Sequence, residues 1–439
     1  MQRADTLIHA GWVIPVEPRD TVLEGHSVAI RHGRIEAVAP RAEIEADWEA
    51  DAVHELSGHA VIPGLVNAHT HAAMSLMRGL ADDLPLMTWL KEHIWPAEGA
   101  NVSHAFVDDG TRLAAAEMLR SGTTCFNDMY LFPDAAGAAA EAAGIRANLG
   151  MIVFGFPTPW ASTADEYFER GIAVHDRFRD HPLITTAFSP HAPYTVPDES
   201  LSRIATLAEE LDVPVHIHVH ETAHEVDEAV EQDGRRPLER LESLGLMGPR
   251  LQAVHATQLT DDEIGQLAEH GASVVHCPQS NLKLASGFCP VAALAGAGVN
   301  LALGTDGAAS NNDLDMLAEM QSAALLGKAV AGEPAALPAE AALEMATLGG
   351  ARALGLEADI GSVVVGKAAD LVAIDLNRVA TRPLYHPVSQ IVYAAGRDQV
   401  TDVWVAGRHT VSNGHLTTLD ETELLERADG WRDKLAANA

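Results

Sequence analysis

Between Val61 and Leu356, short apolar runs of strand length alternate with longer amphipathic stretches of helical period. Eight such runs stand out: VIPGLV from 61, GTTCFND from 122, IRANLGMIV from 145, LITTAFS from 183, VPVHIHVH from 213, LQAVHA from 251, GASVVHC from 271 and VNLALGT from 299. Strand–helix alternation calls for parallel pairing, because each helix carries the chain back to the edge it left. Eight repeats suit a closed (β/α)8 TIM-like barrel, whose active site is built at the C-terminal strand ends. The two chain ends have a different texture. Residues 4–59 carry short β-like runs punctuated by Gly11, Gly25 and Gly33, and the same texture returns in GSVVVGKAADLVAIDL and in the alternation over Val400–Val405. Neither end alone holds enough apolar residues for a sheet with a covered face. Residues 1–60 and 358–439 are therefore expected to pair into one small composite β-sandwich domain flanking a catalytic barrel at 61–357.

Composition narrows the partners. The 439 residues are 47% hydrophobic and 21% charged, with a mean hydropathy of +0.02, as in ordinary soluble globular chains. Twenty-nine basic residues against 62 acidic ones leave a net charge of −33, a field that repels phosphate backbones and anionic lipid surfaces alike. Nucleic acid and membrane are excluded as expected partners. Cys125, Cys277 and Cys289 are scattered and form no CxxC pair, so neither a disulfide framework nor a cysteine zinc site is expected. The opening MQRADTLIHAGWVIPV lacks a secretory pattern and no apolar run is long enough to span a bilayer, so a cytoplasmic location is expected.

The chemistry gathers at strand ends. His69 and His71 close the first run; because side chains alternate along a strand, HxH puts both imidazoles on one face. The fifth run reads HIHVHE, with His216, His218 and His220 on one face and Glu221 next; the sixth ends in His255 and the eighth leads to Asp306. A bare HxH, or His255 by itself, is compatible with an ordinary structural role. Four strand ends carrying metal-ligand residue types at the rim where a barrel builds its site point instead to a metal centre. Between His71 and His218 the only lysine is Lys91, in a helix-like stretch, so a lysine bridging two metals has no candidate and one metal is expected. Nitrogen donors with a carboxylate suit Zn2+ best, with Fe2+ also compatible.

The segments PGLVNAHTH, HVHET, AVHAT, GTDGAASNN and GKAADLV resemble the amidohydrolase superfamily across essentially the whole chain. MSLMRGLADDLPLMTWL, WPAE, SPHAPYT and CPQSNLKLASG are similar to motifs of its methylthioadenosine/S-adenosylhomocysteine deaminase branch. The resemblance implies one metal ion per subunit held by His69, His71, His218 and Asp306. It selects His218 with Glu221, and leaves His216 and His220 as neighbours without an assigned role. Glu221 beside the metal is suited to shuttle a proton, Asp306 to accept one from water, and His255 to hold the hydroxide and developing alkoxide. Glu98 matches a glutamate that accepts hydrogen bonds from a ribose diol, and His191 one that contacts purine or ribose. Trp89 is read as an apolar wall; outside this frame it would pass for a core tryptophan and Glu98 for a solvated acid.

The expected activity is that of an aminohydrolase acting on C–N bonds of cyclic amidines, converting 5′-methylthioadenosine to 5′-methylthioinosine, with adenosine as a second substrate. S-adenosylhomocysteine is disfavoured, because Met151 stands near where the family's carboxylate-binding arginine falls and GFPTPWAST offers none. The alternative is a deaminase or chlorohydrolase of another amino-substituted heterocycle, such as a triazine, guanine or a pterin. A noncatalytic scaffold on a degenerate barrel would lack ligands that are all present here. The cytidine-deaminase route needs HxE with PCxxC, which this chain does not have. The partner is a small nucleoside, and the resemblance also implies a homo-oligomer.

Overall fold

Each of the eight runs contributes a strand in the computed structural model, which describes residues 1–438; Ala439, the last position of the 358–439 segment, lies outside it. The barrel strands are β1 (Leu65–Thr70), β2 (Thr123–Asp128), β3 (Arg146–Val153), β4 (Ile184–Pro190), β5 (Val215–Val219), β6 (Leu251–His255), β7 (Ser273–His276) and β8 (Asn300–Leu303), hydrogen-bonded in sequence order. All adjacent pairs are parallel. The ring is drawn shut between β8 and β1, where Asp306 N donates to the His69 carbonyl at 3.0 Å. Just below, Thr305 N donates to Asn67 Oδ1 at 3.0 Å and Asn67 Nδ2 to Thr305 Oγ1 at 2.7 Å. Closure therefore places Asp306 directly beside His69.

The loops after several strands are stiffened by helix starts. Ser103, Thr163, Thr222 and Thr260 each accept a hydrogen bond from the backbone three residues on, satisfying N–H groups that a helix leaves orphaned.

Both chain ends join one nine-stranded mixed sheet. Gln2–Val13 pairs parallel with the long strand Trp48–Pro63, and the far end of that strand pairs antiparallel with Leu371–Asp375, followed by Val400–Val405 and Arg408–Ser412. A buried apolar cluster on this sheet gathers Ile8, Val28, Val61, Leu371 and Trp404 from both chain ends. At its lip Gly33 (φ +75°) comes so close to the turn at Ala406 that a Cβ there would lie 2.6 Å from the Ala406 carbonyl oxygen. Arg146, at the start of β3, grips Asp370 through two bonds of 2.7 and 3.1 Å and ties barrel to sheet.

Two details differ from the expectation. The first run divides: Val61–Pro63 complete the long strand of the composite sheet, and only Leu65–Thr70 enter the barrel. Gly64 makes the passage, since a Cβ there would sit 1.9 Å from Thr124 Oγ1. Residues 358–438 are also not all sheet. Their last helix, Glu421–Asn438, packs on the barrel helix His104–Arg120, with Trp431 edge-on to Phe106 at 5.1 Å and its Nε1 donating to Asp109 at 2.8 Å. Among the described residues no helix is long and apolar enough to cross a membrane.

Candidate metal centre and substrate pocket

His69 and His71 leave β1, His218 stands on β5 and Asp306 follows β8; their donor atoms lie within 4.8 Å of one another. Asp306 Oδ1 is 3.3 Å from His69 Nε2 and 3.2 Å from His71 Nε2, and His218 Nε2 is 3.2 Å from His69 Nε2. The far ring nitrogens explain why the Nε2 lone pairs face inward. His71 Nδ1 donates to the Met129 carbonyl at 2.6 Å and His218 Nδ1 to the His191 carbonyl at 2.8 Å. His69 Nδ1 meets His216 Nε2 at 2.8 Å. Burial, together with the nearby His69, holds His216 well below the usual imidazole range. His216 is thus a neutral acceptor for His69. Asp306 Oδ2 accepts from Ser280 Oγ at 2.6 Å and Ser310 Oγ at 2.8 Å, and Oδ1 from Gly307 N at 2.8 Å. Burial alone would lower His71, but the hydrogen bond and charge of Asp306 outweigh it and raise it to about 9. The field here favours positive charge, and three neutral-capable imidazoles with one carboxylate fit a tetrahedral divalent ion. No lysine belongs to this cluster, and Lys91 is exposed on a helical turn of the rim.

Beside the ligands, Glu221 is buried, with Ser286 Oγ 3.4 Å from Oε1 and His255 Nε2 3.9 Å from Oε2. His255 Nδ1 is held by Asn281 Oδ1 at 2.9 Å, leaving Nε2 toward the pocket. His220, His255 and Asp306 all have left-handed backbones, with φ of 55°, 72° and 65°. Such conformations cost about 1–3 kcal/mol each and persist where the surroundings enforce them. Part of that enforcement is Glu225, whose carboxylate accepts His220 N at 3.0 Å and Glu221 N at 2.7 Å. His220 itself faces away from the ligands, accepting Leu238 N at 3.2 Å and lying 3.7 Å from Glu263.

A cavity of about 280 Å³ opens over the ligands and is lined by His71, Trp89, Glu98, His191, His218, Glu221, His255 and Asp306 together with Trp95, Tyr130, Phe154 and Phe156. Every residue singled out above for substrate contact lines it. Trp89 sits in the wall with Nε1 donating to the Ala81 carbonyl at 3.1 Å. Tyr130 Oη donates to Glu98 Oε1 at 2.7 Å, and burial raises the Glu98 carboxyl above its ordinary value. His191 stacks on Phe154 at 4.8 Å. Its Nδ1 meets Thr195 Oγ1, whose own proton goes to the Ala192 carbonyl, so Nε2 is left as an acceptor. Burial lowers His191 to about 3.

Sequence reasoning did not reach Glu225, Tyr130, Asn281 or the serines on Asp306. Glu225 had a signal, since Thr222–Glu225 reads as a capping box whose glutamate reaches back past the cap. Met151 requires a correction. It is buried against the helix Ala164–Phe178, where a Cβ on Gly171 would lie 3.1 Å from it, and it does not line the cavity. An arginine at 151 would point away from any ligand. The neighbours that reach the pocket are Ile152 and Phe154.

Residues 60–410 match the amidohydrolase family. The chain belongs to the amidohydrolase family. The amidohydrolase is 50% identical over 433 residues to a 5-methylthioadenosine/S-adenosylhomocysteine deaminase of Teredinibacter turnerae, covering 99% of this chain and 98% of the relative. It is similar in structure to an adenosine deaminase of Xanthomonas campestris with bound zinc, at 55% identity, a TM-score of 0.98 and 99% coverage of both chains. An atrazine chlorohydrolase of Arthrobacter aurescens shares its fold at 23% identity, with a TM-score of 0.90, covering 97% of this chain and all (100%) of the other.

Proposed function

We propose that this amidohydrolase replaces the 6-amino group of adenine nucleosides by oxygen, taking 5′-methylthioadenosine to 5′-methylthioinosine and adenosine to inosine with release of ammonia. The observation that carries it is one pocket holding the four-ligand set, Glu221 beside it, and a second buried carboxylate, Glu98, held by Tyr130. The names of the relatives and the zinc in the Xanthomonas enzyme support the same substrate class and metal.

Zinc held by His69, His71, His218 and Asp306 would supply Lewis acidity that brings the pKa of water near neutrality. Glu221 takes one proton from the attacking water and gives it to N1 as the C6–oxygen bond forms. Asp306 accepts the second proton, which goes to the amine as the C6–nitrogen bond breaks. His255 holds the incoming oxygen through Nε2, its ring kept in place by Asn281. His191 faces the nucleoside with a neutral acceptor nitrogen. Tyr130 occupies one lone pair of Glu98, leaving Oε2 for a vicinal diol.

Glu98→Ala is expected to raise KM for nucleosides by about 10- to 100-fold, the loss of charged hydrogen bonds worth about 1.5–3 kcal/mol. Free adenine, which has no diol, should be far less affected; equal effects on both would refute the contact.

The cavity wall carries no lysine or arginine, so a homocysteine carboxylate carried on the 5′ side of the ribose would find no cationic side chain there, with the Glu98 carboxylate as the charged group nearest the ribose. Phe156, 6.4 Å from Trp95 and 5.0 Å from Phe154, forms an aromatic wall suited to a thioether. Parallel ultraviolet assays on 5′-methylthioadenosine, adenosine, S-adenosylhomocysteine and guanine, checked by ammonia release, test this. Loss of the adenine spectrum is expected for the first two and little for the third. Equal turnover of S-adenosylhomocysteine would overturn the charge argument, and turnover of guanine alone would move the reading to other heterocycles.

A further inference from the structure

We propose a second metal site outside the barrel, at His54, Asp402 and His409 of the composite sheet, taking a divalent transition-metal ion of the zinc class. One donor atom from each lies within 4.8 Å of the others. The three sit on separate strands, Trp48–Pro63, Val400–Val405 and Arg408–Ser412; antiparallel pairing of the last two sets Asp402 near His409, and packing on Trp404 brings His54 to them.

Trp404, fully buried, fixes the rings. His409 stacks on it at 4.7 Å and 9°, His54 meets its edge at 5.2 Å, and the two imidazoles lie edge to face at 4.9 Å. Donors whose rotamers are locked by packing lose little entropy on binding an ion. Asp402 is a buried carboxylate with no lysine or arginine in ion-pair contact among the described residues. It meets His409 Nε2 at 2.9 Å, the Thr401 side chain and, more weakly, Asn413 N at 3.5 Å. A cation between Asp402 Oδ1 and His409 Nε2 would take the place of the hydrogen bond between them. Two nitrogens and one oxygen leave a position for water, and the half-buried imidazoles give the ion a route in.

The consequence is structural. His54 belongs to the N-terminal segment and the other two to the C-terminal one, so the ion clips together the two ends that build the composite domain.

The test is equilibrium dialysis of the zinc-loaded enzyme against Zn2+, with metal counted per chain. The expected result is two zinc ions in the wild type and one in His54→Ala and His409→Ala, with 5′-methylthioadenosine turnover unchanged in both variants. Added zinc should raise the Tm of the wild type but not that of His54→Ala. His69→Ala should keep the sheet ion while losing the catalytic one. A wild type that saturates at one ion, or a second ion that survives both sheet variants, would overturn the site. The wild-type count stands even where a variant fails to fold.

Discussion

Glu221→Gln is expected to keep metal and nucleoside and to lose turnover by about 10²- to 10⁴-fold, the usual contribution of a positioned proton carrier. The substitution is close to isosteric. Glutamine Oε1 can still accept from Ser286, and the backbone of residue 221 remains held by Glu225. What the amide cannot do is take a proton from water and release it to the ring. Burial raises the Glu221 carboxyl above the ordinary 4.5, with the Asp306 charge adding to it and His255 opposing it. The acid limb of kcat/KM against pH should therefore lie above 4.5 in the wild type, where activity falls as pH drops and Glu221 becomes protonated. In the variant the Glu221 contribution to that limb should be gone, leaving only the ionisation of the attacking water to set it. Near-normal turnover would remove Glu221 from the proton path.

The barrel was legible because its strands are short apolar runs separated by helical periodicity, and because chemistry-bearing residues fall at strand ends, where this fold must place them. His69, His71, His218, Glu221, His255 and Asp306 could be picked out from that position alone or with the family motifs. Orientation was not legible. β3 is buried on nearly every residue, so no polar–apolar contrast says which side faces the lumen; the sequence places Met151 near the family's carboxylate-binding arginine, whereas Ile152 and Phe154 are the residues of this stretch that line the pocket. Support shells were hidden for a different reason: Tyr130 reaches Glu98 across 32 positions and His216 reaches His69 across 147, and only closure of the barrel brings such pairs together. The break at Gly64 escaped notice because VIPGLV reads as one strand until Thr124 is seen against it.

Asp306→Asn should empty the catalytic centre of metal without unfolding the barrel. Asparagine tolerates the left-handed backbone at 306 better than most residues. Its Oδ1 can keep the Gly307 N–H, and the Ser280 and Ser310 hydroxyls can rotate to accept from the new amide. Only the negative charge is lost, and it offsets the cost of gathering three buried imidazoles around a cation. His216→Ala removes support one step further out. It should weaken metal affinity by about 10- to 100-fold, because His69 would lose the acceptor that orients its Nδ1–H. His216→Gln still offers an acceptor and should recover part of that loss. Zinc retained after dialysis against graded chelator therefore ranks wild type above His216→Gln, above His216→Ala, above Asp306→Asn; kcat should follow retained metal in the two His216 variants and fall further in Asp306→Asn, which also loses the acceptor of the second proton. An Asp306→Asn enzyme with full zinc and full turnover would take Asp306 out of the ligand set. A His216→Ala enzyme indistinguishable from wild type would mean that packing alone aims His69.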